Sequence, residues 1–112
     1  MKLLSFNCQG LAIHRKKLAL HSFLLTKLVD VLFLQETLGL AKAITLLLKS
    51  CPPGWSFQSL DVNGRLGGIA LGINSCTIKS CNIWGGIGHI GADIYSSDLR
   101  TYIRIINVYG PC

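Results

Sequence analysis

The pattern of apolar residues along the 112-residue chain predicts an α/β domain, a mixed sheet with two helices on one face. Three observations predict it. Two short apolar runs, one near the amino terminus and one at Val31-Leu32-Phe33-Leu34, are each followed by a stretch of helical period. After Pro52-Pro53 the texture changes to five strand-like segments with turn signals between them. With 50% hydrophobic and only 14% charged residues, the chain also has enough apolar material to bury most of itself.

Lys2 to Cys8 carries Leu3, Leu4 and Phe6 and ends in Gln9-Gly10, which reads as a strand cut by a turn. From Arg15 to Leu28 the leucines at 18, 20, 24, 25 and 28 share one side at helical period, with Lys16, Lys17 and Lys27 among the rest. Asp30 then introduces the run Val31 to Leu34, which suits a strand buried on both faces and stops at Gln35-Glu36-Thr37. Leu40, Ala41, Ile44, Leu47 and Leu48 match a second amphipathic helix, ended by Ser50-Cys51-Pro52-Pro53-Gly54. The strands expected next are Trp55 to Leu60, Leu66 to Ile73, Thr77 to Trp84, Ala92 to Tyr95 and Thr101 to Tyr109. A right-handed crossover is expected to join the first two strands as parallel neighbours.

Composition excludes several classes of function. No apolar run approaches the roughly 18 residues of a membrane span. Met1-Lys2-Leu3-Leu4 opens like a signal peptide, but Ser5, Asn7, Gln9 and Gly10 break the apolar stretch at once, so an intracellular, nuclear or cytoplasmic protein without a membrane partner is expected. Cys8, Cys51, Cys76, Cys81 and Cys112 are an odd count without a CxxC, which disfavours a disulfide framework and a structural zinc site. His14, His21 and His89 lie at no metal-ligand spacing.

Chemistry is expected at one end of the first two strands. Glu36 is the sole glutamate and stands at the carboxyl end of the most apolar strand, the rim where ligands gather in open α/β sheets. A carboxylate there suits a hard cation such as Mg²⁺, which takes one or two carboxylates and fills the rest of its shell with water and phosphate. Asn7 closes the first strand in the same way. Tyr109 lies on the face of the last strand shared by Ile103, Ile105 and Asn107, where its phenol would reach a phosphate oxygen or position a nucleophile. The net charge of +6, from 11 Lys and Arg against 5 Asp and Glu, and the cluster Arg15-Lys16-Lys17 add a surface for nucleic acid.

Four fragments in order, LLSFNCQGL, DVLFLQET, GRLGGIALGI and RIINVYGP, resemble the amino-terminal half of the endonuclease/exonuclease/phosphatase superfamily. Within it the chain is most similar to the apurinic-type endonuclease domain of plant non-LTR retrotransposons. The resemblance implies half of a four-layer α/β sandwich and Mg²⁺-dependent hydrolysis of phosphodiester bonds. It makes Glu36 the metal-binding Glu of the QET motif, Asn7 the Asn of the first-strand motif and Tyr109 the active-site Tyr of the N-x-Y-x-P motif. Thr37 and Gly67-Gly68 would be supporting residues.

Residues 1–112 then form a single, incomplete domain, because the superfamily's later motifs, an Asp-x-Asn on a strand after the N-x-Y-x-P motif and a carboxy-terminal Ser-Asp-His, do not occur in them. Asp30 lies about 20 Å from Glu36 along an extended strand, at the wrong end to replace them. Asp61 and Asp98 are expected in turns and Asp93 within a strand, and no His follows His89. The expected partners are DNA and either the missing carboxy-terminal half or a second copy, covering a sheet face that half a sandwich leaves open. The other readings are a nucleic-acid-binding module without catalysis and an inactive retrotransposon-derived remnant.

Overall fold

Apolar residues alternating along extended segments need a cover on each face, and this requirement decides the architecture. The structure, a computed structural model, describes residues 1–7, 19, 20, 22, 24, 29–37, 54–60, 68–86 and 88–108. Seven strands are found: β1 (Leu3–Asn7), β2 (Val31–Gln35), β3 (Trp55–Leu60), β4 (Ile69–Asn74), β5 (Ile78–Gly86), β6 (His89–Ser96) and β7 (Thr101–Val108). They make a four-stranded sheet of order β1-β2-β4-β3 and a three-stranded sheet of order β5-β6-β7. β1 and β2 are parallel, as expected of a crossover, and every other neighbouring pair is antiparallel.

The two central strands of the first sheet bury both faces. Val31 and Phe33 of β2 and Ile69, Leu71 and Ile73 of β4 meet Ile78, Ile90, Ala92, Ile94, Ile103 and Ile105 of the second sheet. Leu32, Leu34 and Ala70 point the other way, with Leu20, Leu24, Leu4, Trp55 and Phe57 around them. Each such side chain removed from water contributes about 1.5–3 kcal/mol, so these two layers dominate the stability. Gly72 leaves room in the outer layer, since a Cβ there would lie 2.6 Å from Cε1 of Phe57.

The expected fold class is corrected here. A single mixed sheet with two helices on one face, as half of a four-layer α/β sandwich, is not what the described residues form: they form two β-sheets packed face to face, with no helix delimited among them. Ala19, Leu20, Ser22 and Leu24 have helical backbone and fall within the first expected helix, while the second, from Leu40 to Leu48, lies outside the described residues. The five later strands do not all extend the sheet of β1 and β2: β3 and β4 join it, and β5, β6 and β7 form the second. These last three turn their alternating isoleucines onto the inner face of β2 and β4, so the filling expected to lie open is enclosed. The outer face of the second sheet carries Tyr102, Ile106 and Val108, which are exposed.

Two polar clusters fix the sheets locally. Asp30 accepts from the backbone N–H of Lys2 (2.7 Å) and from the hydroxyl of Thr77 (2.6 Å), while its own carbonyl accepts from Asn74 N–H (2.9 Å). It thereby ties the start of β1 to the β4–β5 turn, at the end of the sheet away from Glu36, where the sequence placed it. On the second sheet, the Arg104 guanidinium donates to both oxygens of Asp93 (2.9 and 3.3 Å) and lies 5.0 Å above the Trp84 ring.

Asp30→Ala is expected to lower unfolding stability by about 1.5–3 kcal/mol, as for hydrogen bonds to a charged group, and Asp30→Asn by less. Equal denaturation midpoints for the parent and Asp30→Ala would contradict this role. The hydrogen bonds from Arg104, ahead of its charge, hold the Asp93 carboxyl below its ordinary 3.8 despite some burial. The pair therefore stabilises the fold above that value, and the contribution is lost as pH falls through the lowered pKa. Asp93→Asn should melt lower than the parent at neutral pH, with the gap closing in acid below about pH 3.8. A gap that stays constant with pH would show that the carboxylate charge is irrelevant.

Candidate active site

β1 and β2 run side by side in the same direction, so their carboxyl ends share a rim. The register pairs Asn7 with Gln35, the last residue of each strand, and Glu36 follows immediately. Asn7 is exposed and Glu36 half-buried.

The backbone at Glu36 is unusual. Its φ is +53°, in the left-handed region that costs a non-glycine residue roughly 1–2 kcal/mol. The ladder to β4 explains the geometry: Gln35 pairs with Ile69, but the next hydrogen bond runs from Thr37 N–H to the Gly68 carbonyl (3.2 Å). Glu36 is thus an extra residue lifted out of the pairing, opposite a glycine that itself has a φ of +93°. A bulge of this kind bends the strand and re-aims a side chain, a device common beside functional sites. Thr37, buried directly behind, anchors the far side of the bulge.

Beneath the rim lies a hydrogen-bonded chain of amides. Gln35 donates from Nε2 to Oδ1 of Asn107 (2.7 Å), and its amide is also bonded to the Ser5 hydroxyl (3.2 and 3.3 Å). Asn107, on the inner face of β7 and almost completely buried, donates from Nδ2 to the carbonyls of Leu34 (3.2 Å) and Ala70 (2.9 Å). A strand of the second sheet is therefore fastened into the first within one residue of Glu36. The contact brings the carboxyl end of β7 to the same rim as those of β1 and β2.

Of the residues singled out from the sequence, Asn7 and Glu36 are brought together. Tyr109 lies outside the described residues, one position past Val108 where β7 ends at this rim, and Arg15, Lys16 and Lys17 lie outside them as well. Asp93 is inside β6 and Asp98 in the turn before β7, both as expected. Among the described residues, no three His, Cys, Asp or Glu side chains cluster closely enough to hold a metal by themselves. The reading overlooked Gln35, Asn107 and Ser5. A signal for Asn107 was present, a lone amide on a strand face otherwise made of isoleucines, because a buried amide requires partners.

No protein-family model matches the chain, and no curated protein matches it significantly. Solved structures do match. Humanized D. rerio TDP2 carrying 14 mutations superposes with a TM-score of 0.69 at 18% identity, over 97% of this chain and 47% of that one. AP endonuclease LMAP from Leishmania major gives 0.71 at 19% identity, over 96% and 39%. D. rerio TDP2 complexed with a single-strand DNA product gives 0.66 at 20% identity, over 97% and 46%. The chain spans less than half the length of each of these proteins. The likeness is one of fold: the chain superposes on part of TDP2 and of an AP endonuclease, proteins with the endonuclease/exonuclease/phosphatase fold.

Proposed function

We propose that this chain is the amino-terminal portion of a Mg²⁺-dependent phosphodiesterase domain acting on DNA, of the apurinic-endonuclease type found in plant non-LTR retrotransposons. The observation that carries the reading is Glu36, the sole glutamate, held on a left-handed bulge at a rim it shares with Asn7. One accessible carboxylate fits Mg²⁺, whose remaining positions go to water and substrate phosphate. When bound, the cation would supply charge neutralisation at the phosphodiester.

The chain's own residues then divide the work. Glu36 holds the cation. Asn7 offers its side-chain amide to a phosphate oxygen, and Tyr109, two residues beyond Asn107 in the sequence, would be the active-site phenol of the N-x-Y-x-P motif. Arg15, Lys16 and Lys17 would track the DNA backbone, with affinity that falls as salt rises. The likeness to a TDP2 solved with a DNA product supports this choice of ligand. No Asp-x-Asn follows Tyr109 in the 112 residues and no Ser-Asp-His occurs in them, so the general acid-base and phosphate-stabilising groups of the site would come from a second segment packed beside them. Since loss of even one key group costs on the order of 10³ to 10⁶ in rate, the chain by itself is inactive under this reading.

Supercoiled plasmid incubated with the chain and Mg²⁺ should be nicked no faster than with a Glu36→Ala control. Nicking by the parent that disappears in the control would overturn the claim of inactivity. In a gel shift at low salt, reversing the charges of Arg15, Lys16 and Lys17 together should weaken DNA binding by about tenfold or more, in line with the loss of phosphate contacts. Unaltered binding would remove these three residues from the interface.

A further inference from the structure

We propose that Gln35 and Asn107 are positioning residues for Glu36: the amide chain Ser5–Gln35–Asn107 holds the Glu36 backbone in its left-handed conformation and so aims the carboxylate at a divalent cation. The inference rests on the reading of Glu36 as the cation-holding carboxylate, and deepens it.

A left-handed glutamate relaxes toward ordinary strand geometry unless both of its neighbours are fixed. On the carboxyl side Thr37 is buried and bonded through its N–H to Gly68. On the amino side Gln35, paired in the ladder with Asn7 and Ile69, is held further by its side chain, which is bonded to Asn107 at 2.7 Å and to Ser5 at 3.2 Å. Asn107 in turn uses three of its four hydrogen-bonding positions, one to Gln35 and two to the carbonyls of Leu34 and Ala70.

An amide is an expensive choice for that position. It stands in the row Ile103, Ile105, Asn107, which faces the core between the sheets. An aliphatic residue there would contribute burial without needing partners, whereas the amide breaks even only when its bonds are made. What the amide adds is direction. It fixes the height of β7 against β2 at the rim, and it holds the residue before Glu36 in one orientation. Groups that orient a ligating side chain from behind set metal affinity without touching the metal.

Because Glu36 is the sole glutamate, its backbone resonances are unambiguous in a Glu-labelled sample. The test compares the parent with Gln35→Met, Asn107→Leu and Glu36→Gln by two readouts: the NMR signature of positive φ at position 36, and affinity for Mn²⁺ alone. The parent is expected to show the left-handed signature. Gln35→Met should lose it and bind Mn²⁺ about 10- to 100-fold more weakly, while Glu36→Gln keeps the signature and loses the ion. A left-handed Glu36 and parental Mn²⁺ affinity in Gln35→Met would overturn the proposal, even if that variant melts lower. Equal Mn²⁺ binding by the parent and Glu36→Gln would instead overturn the cation reading, and the signature at position 36 in Gln35→Met would still decide the positioning role. Should Asn107→Leu fail to fold, Gln35→Met decides alone, since it leaves the two bonds from Asn107 to Leu34 and Ala70 in place.

Discussion

One buried amide fastens the two sheets together. Asn107 sits between them with its Nδ2 donating to carbonyls of two strands of the first sheet and its Oδ1 accepting from the Gln35 side chain there, while its own backbone belongs to the second. Apolar contact between sheets is strong but indifferent to small slides, because one isoleucine packs against a neighbour's methyls about as well as against the next. Hydrogen bonds are not indifferent. The isoleucines hold the sandwich closed, and Asn107 determines where along it the rim lies.

The opposite end is held by different means. Asp30 gathers the start of β1 and the turn between β4 and β5, and the amino-terminal ammonium of Met1 lies 3.6 Å from Asp98 in the turn before β7. These contacts are more open to water and correspondingly weaker, since exposed ion pairs contribute little. The molecule thus has a polar clasp at each end and an aliphatic middle. The clasp beneath Glu36 is built on the buried Asn107, and that end carries the left-handed Glu36; at the opposite end Arg100, in the turn before β7, has the same φ of +53°. Strain is tolerated where the surroundings over-determine the backbone, so the buried amide chain and the left-handed glutamate belong to one arrangement.

Much of this was legible in residue types. The run Val31 to Leu34 announced a strand covered on both sides, and it is. The parallel pairing of β1 with β2 followed from the helical period between them, and with it the meeting of Asn7 and Glu36 at one rim. Sheet number was not legible. Period-two alternation from residue 55 onward states that each strand has one apolar face, but not which surface covers that face, and a single extended sheet satisfies the same pattern as two sheets folded together. Nor was the bulge legible, since Gln35-Glu36-Thr37 contains neither glycine nor proline to signal positive φ, and the glycine opposite it, Gly68, lies just before β4.

By itself the sequence determined the strands, the order of its motifs and the short list of polar residues able to do chemistry, because these depend on local period and on side-chain type. Tertiary structure decided the division into two sheets, the left-handed turn of Glu36 and the partnership of Gln35 with Asn107, residues 72 positions apart. The physical reason is that hydrogen bonds between distant strands and the burial of one face on another are properties of the packed chain, and no local window of residues contains both halves of such a contact.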